Sequence, residues 1–170
     1  MLERTKEQIP EFAKDARINL TKVLDLSQRD GLSEEQIIGA ALAVAYHLNN
    51  KLLIADLREH CQDEKLNEAA KISASLMAMT NIYYRFVHLS EHAELAQLPA
   101  GLRMQAMMNS GVDRLCFEIM SLAVSALNGC GACISAHIGQ LTEHGFSAQT
   151  LGRIGRISAV LHAVDVSQKL

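Results

Sequence analysis

Residues 113–137 read DRLCFEIMSLAVSALNGCGACISAH, and this stretch decides the fold. Leu115, Ile119, Leu122 and Ala126 recur at helical spacing, with Arg114, Glu118, Ser121 and Ser125 on the opposite stripe. That spacing predicts a helix over Asp113–Leu127. Asn128-Gly129 is a turn signal. A second helix opens at Cys130 and runs to His144, with Gly145 as its C-terminal cap. Two helices joined by so short a turn form a hairpin, and the rest of the chain continues the pattern.

Working outward, Pro10 suits the first turn of a helix over Glu11–Leu26, with Phe12, Ala16, Leu20, Val23 and Leu24 near helical period. Gly31-Leu32 breaks the chain. Ser33 and Gln36 form a capping box that opens a helix to about Leu48, ended by Asn49-Asn50. Lys51–His60 is a shorter helix. Glu64–Val87 is a long one, with Ala69, Ile72, Leu76, Met79 and Tyr83 on one face. His88–Leu98 is polar and carries no clear pattern. Pro99-Ala100 opens a helix to about Met108, which Asn109-Ser110-Gly111 stops. Ser147 caps a last helix that ends near Val166. No segment alternates with period two, so the expected class is all-α.

Composition agrees. The chain has 170 residues, 49% hydrophobic and 21% charged, which suits one globular domain over 1–170. Aromatics are 4%, Trp is absent and Pro occurs twice, which disfavours sandwiches and barrels. A net charge of −3 without a basic run offers nothing to nucleic acid. The longest apolar stretches, Ile37–Tyr46 and Ile119–Ala126, are too short to span a bilayer. Met1–Pro10 lacks the apolar core of a signal peptide, so a cytoplasmic setting is expected. There, four cysteines serve thiol chemistry or metal ligation sooner than structural bridges.

The chemistry sits in Cys130-x2-Cys133-x3-His137. The start of a helix presents unpaired N–H groups and the positive end of the dipole, both of which favour a thiolate. Two cysteines three apart on one turn can approach to bonding distance. His137 lies four residues beyond Cys133 on the same face and can move protons near neutral pH. Reversal of the chain at Asn128-Gly129 brings Glu118 level with His137, each roughly 10–14 Å along its helix from the turn. The expected result is a carboxylate–imidazole–thiol chain.

Plainer readings stand beside this one. Arg114–Glu118 could be an ordinary i, i+4 pair on a solvated stripe. Cys130, Cys133, His137 and His144 could hold zinc, although one helix spreads them too far for a single ion. A thioredoxin-like site would need a strand before the cysteines, where a helix is expected. His47, His60, His88, His92, His144 and His162 are expected to be structural, and Cys61 and Cys116 to be core residues. The segment 40–45 also echoes 120–125. Each precedes an Asn-containing turn and another helix, so a helical hairpin could be duplicated, with Asn50 and Leu53 where the second copy has Cys130 and Cys133.

With Glu118, eleven intervening residues, then Cys130-x2-Cys133-x3-His137, the chain resembles the AhpD alkylhydroperoxidase group of the carboxymuconolactone decarboxylase-like superfamily. The resemblance implies an all-α homotrimer that reduces hydroperoxides without heme or metal and binds no cofactor of its own. It implies that Cys133 is oxidised to a sulfenic acid, that Cys130, as proton donor and resolving thiol, closes a Cys130–Cys133 disulfide, and that Glu118 and His137 relay protons. It implies reduction by a dihydrolipoyl-bearing protein, and an AhpC-type peroxiredoxin as a further partner. Well-known members carry His just before the second cysteine, and this chain has Ala132 there. That removes one relay member and neither thiol. The alternatives are a dithiol–disulfide oxidoreductase that does not act on peroxide, and a zinc-binding interaction module.

Overall fold

A computed structural model describes residues 1–170, and every regular element in it is helical. The helices are α1 (Glu3–Glu7), α2 (Lys14–Val23), α3 (Glu34–Leu48), α4 (Lys51–His60), α5 (Glu64–Ser90), α6 (Ala93–Gln97), α7 (Arg114–Asn128), α8 (Gly131–Glu143) and α9 (Ala148–Lys169). Polar residues start most of them. Ser33 Oγ accepts from Gln36 N while Gln36 Oε1 accepts from Ser33 N, so the predicted capping box is present in full. Asp113 accepts from Leu115 N and Cys116 N at the head of α7, and Ser147 from Thr150 N at the head of α9.

The core is built on α3 and α7, which pack on each other, with α5 and α9 each packed on both. Small side chains allow this. Ala40, Ala41, Ala43, Ala45 and Ala123 are fully buried where these helices meet. At Gly39 an added Cβ would come within 2.5 Å of the Met120 methyl and 3.1 Å of Leu66 Cδ1, so α3 approaches α5 and α7 closely there.

Several sequence expectations are corrected. The segment over Glu11–Leu26 begins as a 3-10 turn (Glu11–Ala13) before α2, and Phe12 is 70% exposed instead of facing the core. The expected helix from Pro99 to Met108 does not form. Leu98 is extended, as a residue before proline prefers, Gly101 takes a φ of +66°, and only a 3-10 turn follows at Gln105–Asn109. On α5 Ala69 and Leu76 are buried as expected, but Met79 points outward and the buried face extends over Leu66, Ala70, Ser73, Met77, Thr80 and Asn81. The helix packs on α3, α7 and α8 and uses polar groups to do so, which widens its buried face beyond its most apolar stripe. The short α1 was not foreseen. Asp56 of α4 holds it, accepting from Thr5 N, Thr5 Oγ1 and Arg4 Nε.

The expected echo is visible in the backbone. Helix α3 and helix α7 are both 15 residues long, and a shift of 80 positions carries one onto the other (34 to 114, 48 to 128). Asn49 and Gly129 end them in the same left-handed conformation, with φ of 55° and 64°. Asn50 and Cys130 then cap α4 and α8, each accepting from the N–H three residues on.

Candidate active site

Gly129 turns the chain sharply enough for Cys130 N to bond back to Ser125 O while Cys130 itself becomes the N-cap of α8. A cysteine at that position replaces the usual Ser, Asp or Asn. Its Sγ accepts from Cys133 N at 3.4 Å, so one free N–H of the first turn is satisfied by sulfur. Cys130 and Cys133 are joined as a disulfide, with Cα atoms 5.3 Å apart. Cys130 is wholly enclosed, and Cys133 retains a small exposed surface.

Glu118 and His137 come together across the α7–α8 hairpin, as the chain reversal requires. His137 Nδ1 lies 2.7 Å from Glu118 Oε2, and both side chains are nearly buried. A carboxylate accepts, so Nδ1 carries the proton and Nε2 of the neutral ring is left with a lone pair. The ordinary pair with Arg114 does not form. Arg114 reaches Gln140 Oε1 instead, at 2.9 Å. The rest of the stripe is also internal: Ser121 Oγ meets Ser73 Oγ at 3.3 Å, and Ser125 Oγ accepts from Asn81 Nδ2 at 3.0 Å. From Glu118 onward, the polar side of α7 faces α5 and α8, not water.

A cavity of about 340 Å³ opens on Cys133 and His137. Met77, Thr80 and Tyr84 of α5 form one wall, Met104 and Met107 of the irregular segment another, and Ala132 and Ala136 the α8 side. Sequence reasoning missed these wall residues. The α5 set lies on a face that apolar periodicity misplaced, and the two methionines lie where a helix was expected. Ala132 leaves the mouth open where a larger side chain would fill it.

The remaining candidates lie apart. His144 Nδ1 bonds Gln140 O in its own helix, and no three His, Cys, Asp or Glu side chains cluster as metal ligands would. Cys116 is buried, and its burial pushes the thiol up to about 12, so it stays protonated at neutral pH. His47 Nε2 meets Asn128 Oδ1 at 2.8 Å and helps hold the turn before Cys130. Asn128 Nδ2 in turn donates to Asn81 Oδ1 at 3.0 Å.

Comparison with known proteins agrees with this geometry. The model of the carboxymuconolactone decarboxylase family matches residues 93–170, which contain the whole pair-and-relay constellation. The alkyl hydroperoxide reductase AhpD of Coxiella burnetii (strain RSA 493) is 48% identical over 96% of this chain and 94% of its own length. The protein of the same name from Bradyrhizobium sp. is 45% identical, covering 98% of this chain and 92% of its own. That from Rhodospirillum centenum is 42% identical, covering 96% and 88%. With this likeness along nearly its full length, the chain belongs to the AhpD group of the carboxymuconolactone decarboxylase family.

Proposed function

We propose that the protein is an antioxidant alkyl hydroperoxide reductase that works through the Cys130–Cys133 pair. The observation that carries this reading is the 2.7 Å Glu118–His137 contact beside Cys133, at the end of an apolar cavity. An alkyl tail would lie among Met77, Met104 and Met107, with the peroxide group at sulfur. Cys133 is the attacking thiol, because it alone of the pair borders the cavity. Its thiolate sulfur takes the terminal oxygen, the O–O bond breaks, and the alkoxide leaves as an alcohol after protonation from the His137 side. Cys130 then attacks the sulfenic sulfur, water leaves, and the disulfide forms. One hydroperoxide and two thiols become one alcohol, one water and one disulfide. Glu118 orients His137 and stabilises its charged form while the proton moves.

A dihydrolipoyl dithiol is the proposed reductant, with an AhpC-type peroxiredoxin as a further redox partner. We place the protein in the cytoplasm as one domain that assembles as a homotrimer. The exposed side chains of Ile82 and Phe86 on α5 and Ile18 on α2 offer apolar surface for that assembly, and no helix is long and apolar enough to cross a membrane.

The test is hydroperoxide consumption with dihydrolipoamide, glutathione or thioredoxin as reductant. Turnover is expected with dihydrolipoamide and is lost in Cys133→Ser. A Cys133→Ser protein that kept the wild-type rate would overturn the reading. A disulfide that cycles with dihydrolipoamide while hydroperoxide persists would replace it with a dithiol–disulfide carrier.

A further inference from the structure

The open space beside the pair does not end at the cavity on Cys133. A second cleft of about 360 Å³ adjoins it, and both have Tyr84 and Ala132 in their walls. On α5 one stripe lines the two. Met77, Thr80 and Tyr84 border the cavity, and Tyr84, Val87, His88 and Glu91 continue at helical spacing along the cleft. Fourteen residues at about 1.5 Å each give this stripe about 21 Å, more than the roughly 15 Å that one acyl chain spans across half a bilayer core. Ile82 and Phe86, the apolar surface offered above for assembly, lie on the opposite face of α5.

The two spaces differ in polarity. Met77, Met104 and Met107 make the cavity apolar, whereas the cleft carries His88, Glu91 and His92 at the end away from Cys133. His92 Nδ1 accepts from Leu95 N, so in the neutral ring Nε2 carries the proton and is a donor. Glu91 is exposed, and water screens its charge. Arg85, next to Tyr84 in sequence, donates instead to the backbone carbonyl of Asn128 and supports the turn before Cys130. Where the two spaces meet, α8 contributes no more than the methyl of Ala132, the residue before Cys133.

A small alkyl hydroperoxide needs only the cavity. A hydroperoxide formed in the middle of a fatty acid has two arms, an alkyl tail and a chain that ends in a carboxylate, and both diverge from the carbon that bears the O–O group. We propose that mid-chain fatty-acid hydroperoxides are the substrates this site is shaped for, and that Ala132 is a specificity-determining residue. The O–O group meets Cys133 Sγ and the alkyl tail enters the methionine cavity. The other arm passes Ala132 along Tyr84 and Val87, until its carboxylate reaches His92 and water. The chemistry is that written above: Cys133 sulfur takes the terminal oxygen, the O–O bond breaks, and a hydroxy fatty acid leaves after protonation. A larger side chain at position 132 blocks the second arm.

The inference rests on the peroxidase reading, and one arm of its test consumes no hydroperoxide, so the two can fail separately. In the full-length protein with dihydrolipoamide, kcat/KM for linoleic acid hydroperoxide is set against that for tert-butyl hydroperoxide. The unchanged protein is expected to prefer the fatty acid by about tenfold or more, and Ala132→Leu to cut that ratio about tenfold. Ala96→Phe, which fills the cleft from α6, away from the cavity walls, is expected to cut it likewise. In Cys133→Ser protein, the fluorescence of cis-parinaric acid reports binding, with oleic acid as the competitor. Either substitution is expected to weaken oleic acid about tenfold. Both positions are exposed, so the fold is kept, and circular dichroism checks it. A ratio near one in the unchanged protein, or a ratio and affinity that neither substitution moves, overturns the proposal. Absence of all hydroperoxide turnover, with oleic acid bound and weakened as expected, overturns the peroxidase reading instead and leaves the cleft a fatty-acid site.

Discussion

Glu118 is 9% exposed and holds His137 with one carboxylate oxygen. Replacing it with Gln keeps the shape and much of the hydrogen bonding, and removes the negative charge beside the imidazole. Glu118→Gln is therefore expected to slow hydroperoxide turnover by about 10²-fold or more while the thermal midpoint moves only a few degrees. Stopped-flow oxidation of the reduced protein, set beside a melting curve, checks both. A large loss of stability with unchanged chemistry would make Glu118 structural. Glu118, Cys130, Cys133 and His137 were all legible, because helical spacing and one turn suffice to bring them level. Arg85 and Asn81 were not. Each lies more than thirty residues away on α5, and nothing local in their neighbourhood marks the turn they support.

Helix starts were legible wherever a side chain supplies the cap, as at Ser33, Asp113 and Ser147, because the cap is local chemistry. The buried face of α5 and the irregular segment before α7 were not, since tertiary packing and one left-handed glycine override the local pattern there. The attachment of α1 to α4 belongs to the same class. Burial alone would raise the Asp56 carboxyl, but hydrogen bonds from Thr5 and Arg4 outweigh it and hold the group below the usual carboxylate range. A carboxyl depressed in the folded state contributes its stability above its unfolded pKa and loses it as pH falls through the folded value. Asp56 is therefore expected to hold α1 from neutral pH down to about 4, and to release it in stronger acid. Asp56→Asn should weaken the attachment at neutral pH by about 1–3 kcal/mol. Amide hydrogen exchange over residues 3–9 reads both effects, and exchange there that ignored pH and the substitution would refute the anchor.

For the whole molecule, the repeat separates scaffold from chemistry. The 80-residue shift carries Cys130, Cys133, His137 and Glu118 onto Asn50, Leu53, Leu57 and Ile38. The first half keeps the backbone of the site without its reactive groups. Installing Asn50→Cys and Leu53→Cys in Cys133→Ser protein, which has lost the Cys130–Cys133 disulfide, should yield a disulfide between positions 50 and 53 on oxidation, because the cap geometry is already there. No hydroperoxide turnover should return, because Ile38 and Leu57 relay no protons. Truncating the fully buried Leu53 should cost about 2–5 kcal/mol. Non-reducing peptide mapping with a peroxide assay decides it, and recovered turnover would mean that a dithiol at a helix start suffices. A further consequence follows from the cavity beside the working pair. Three thioethers, those of Met77, Met104 and Met107, stand where an oxidant would be delivered. Each stray oxygen transfer to one of them makes a polar sulfoxide in a greasy wall. The pocket is in that sense a worn tool: its service life is counted in turnovers, and repair by sulfoxide reductases would set how long a single molecule stays useful.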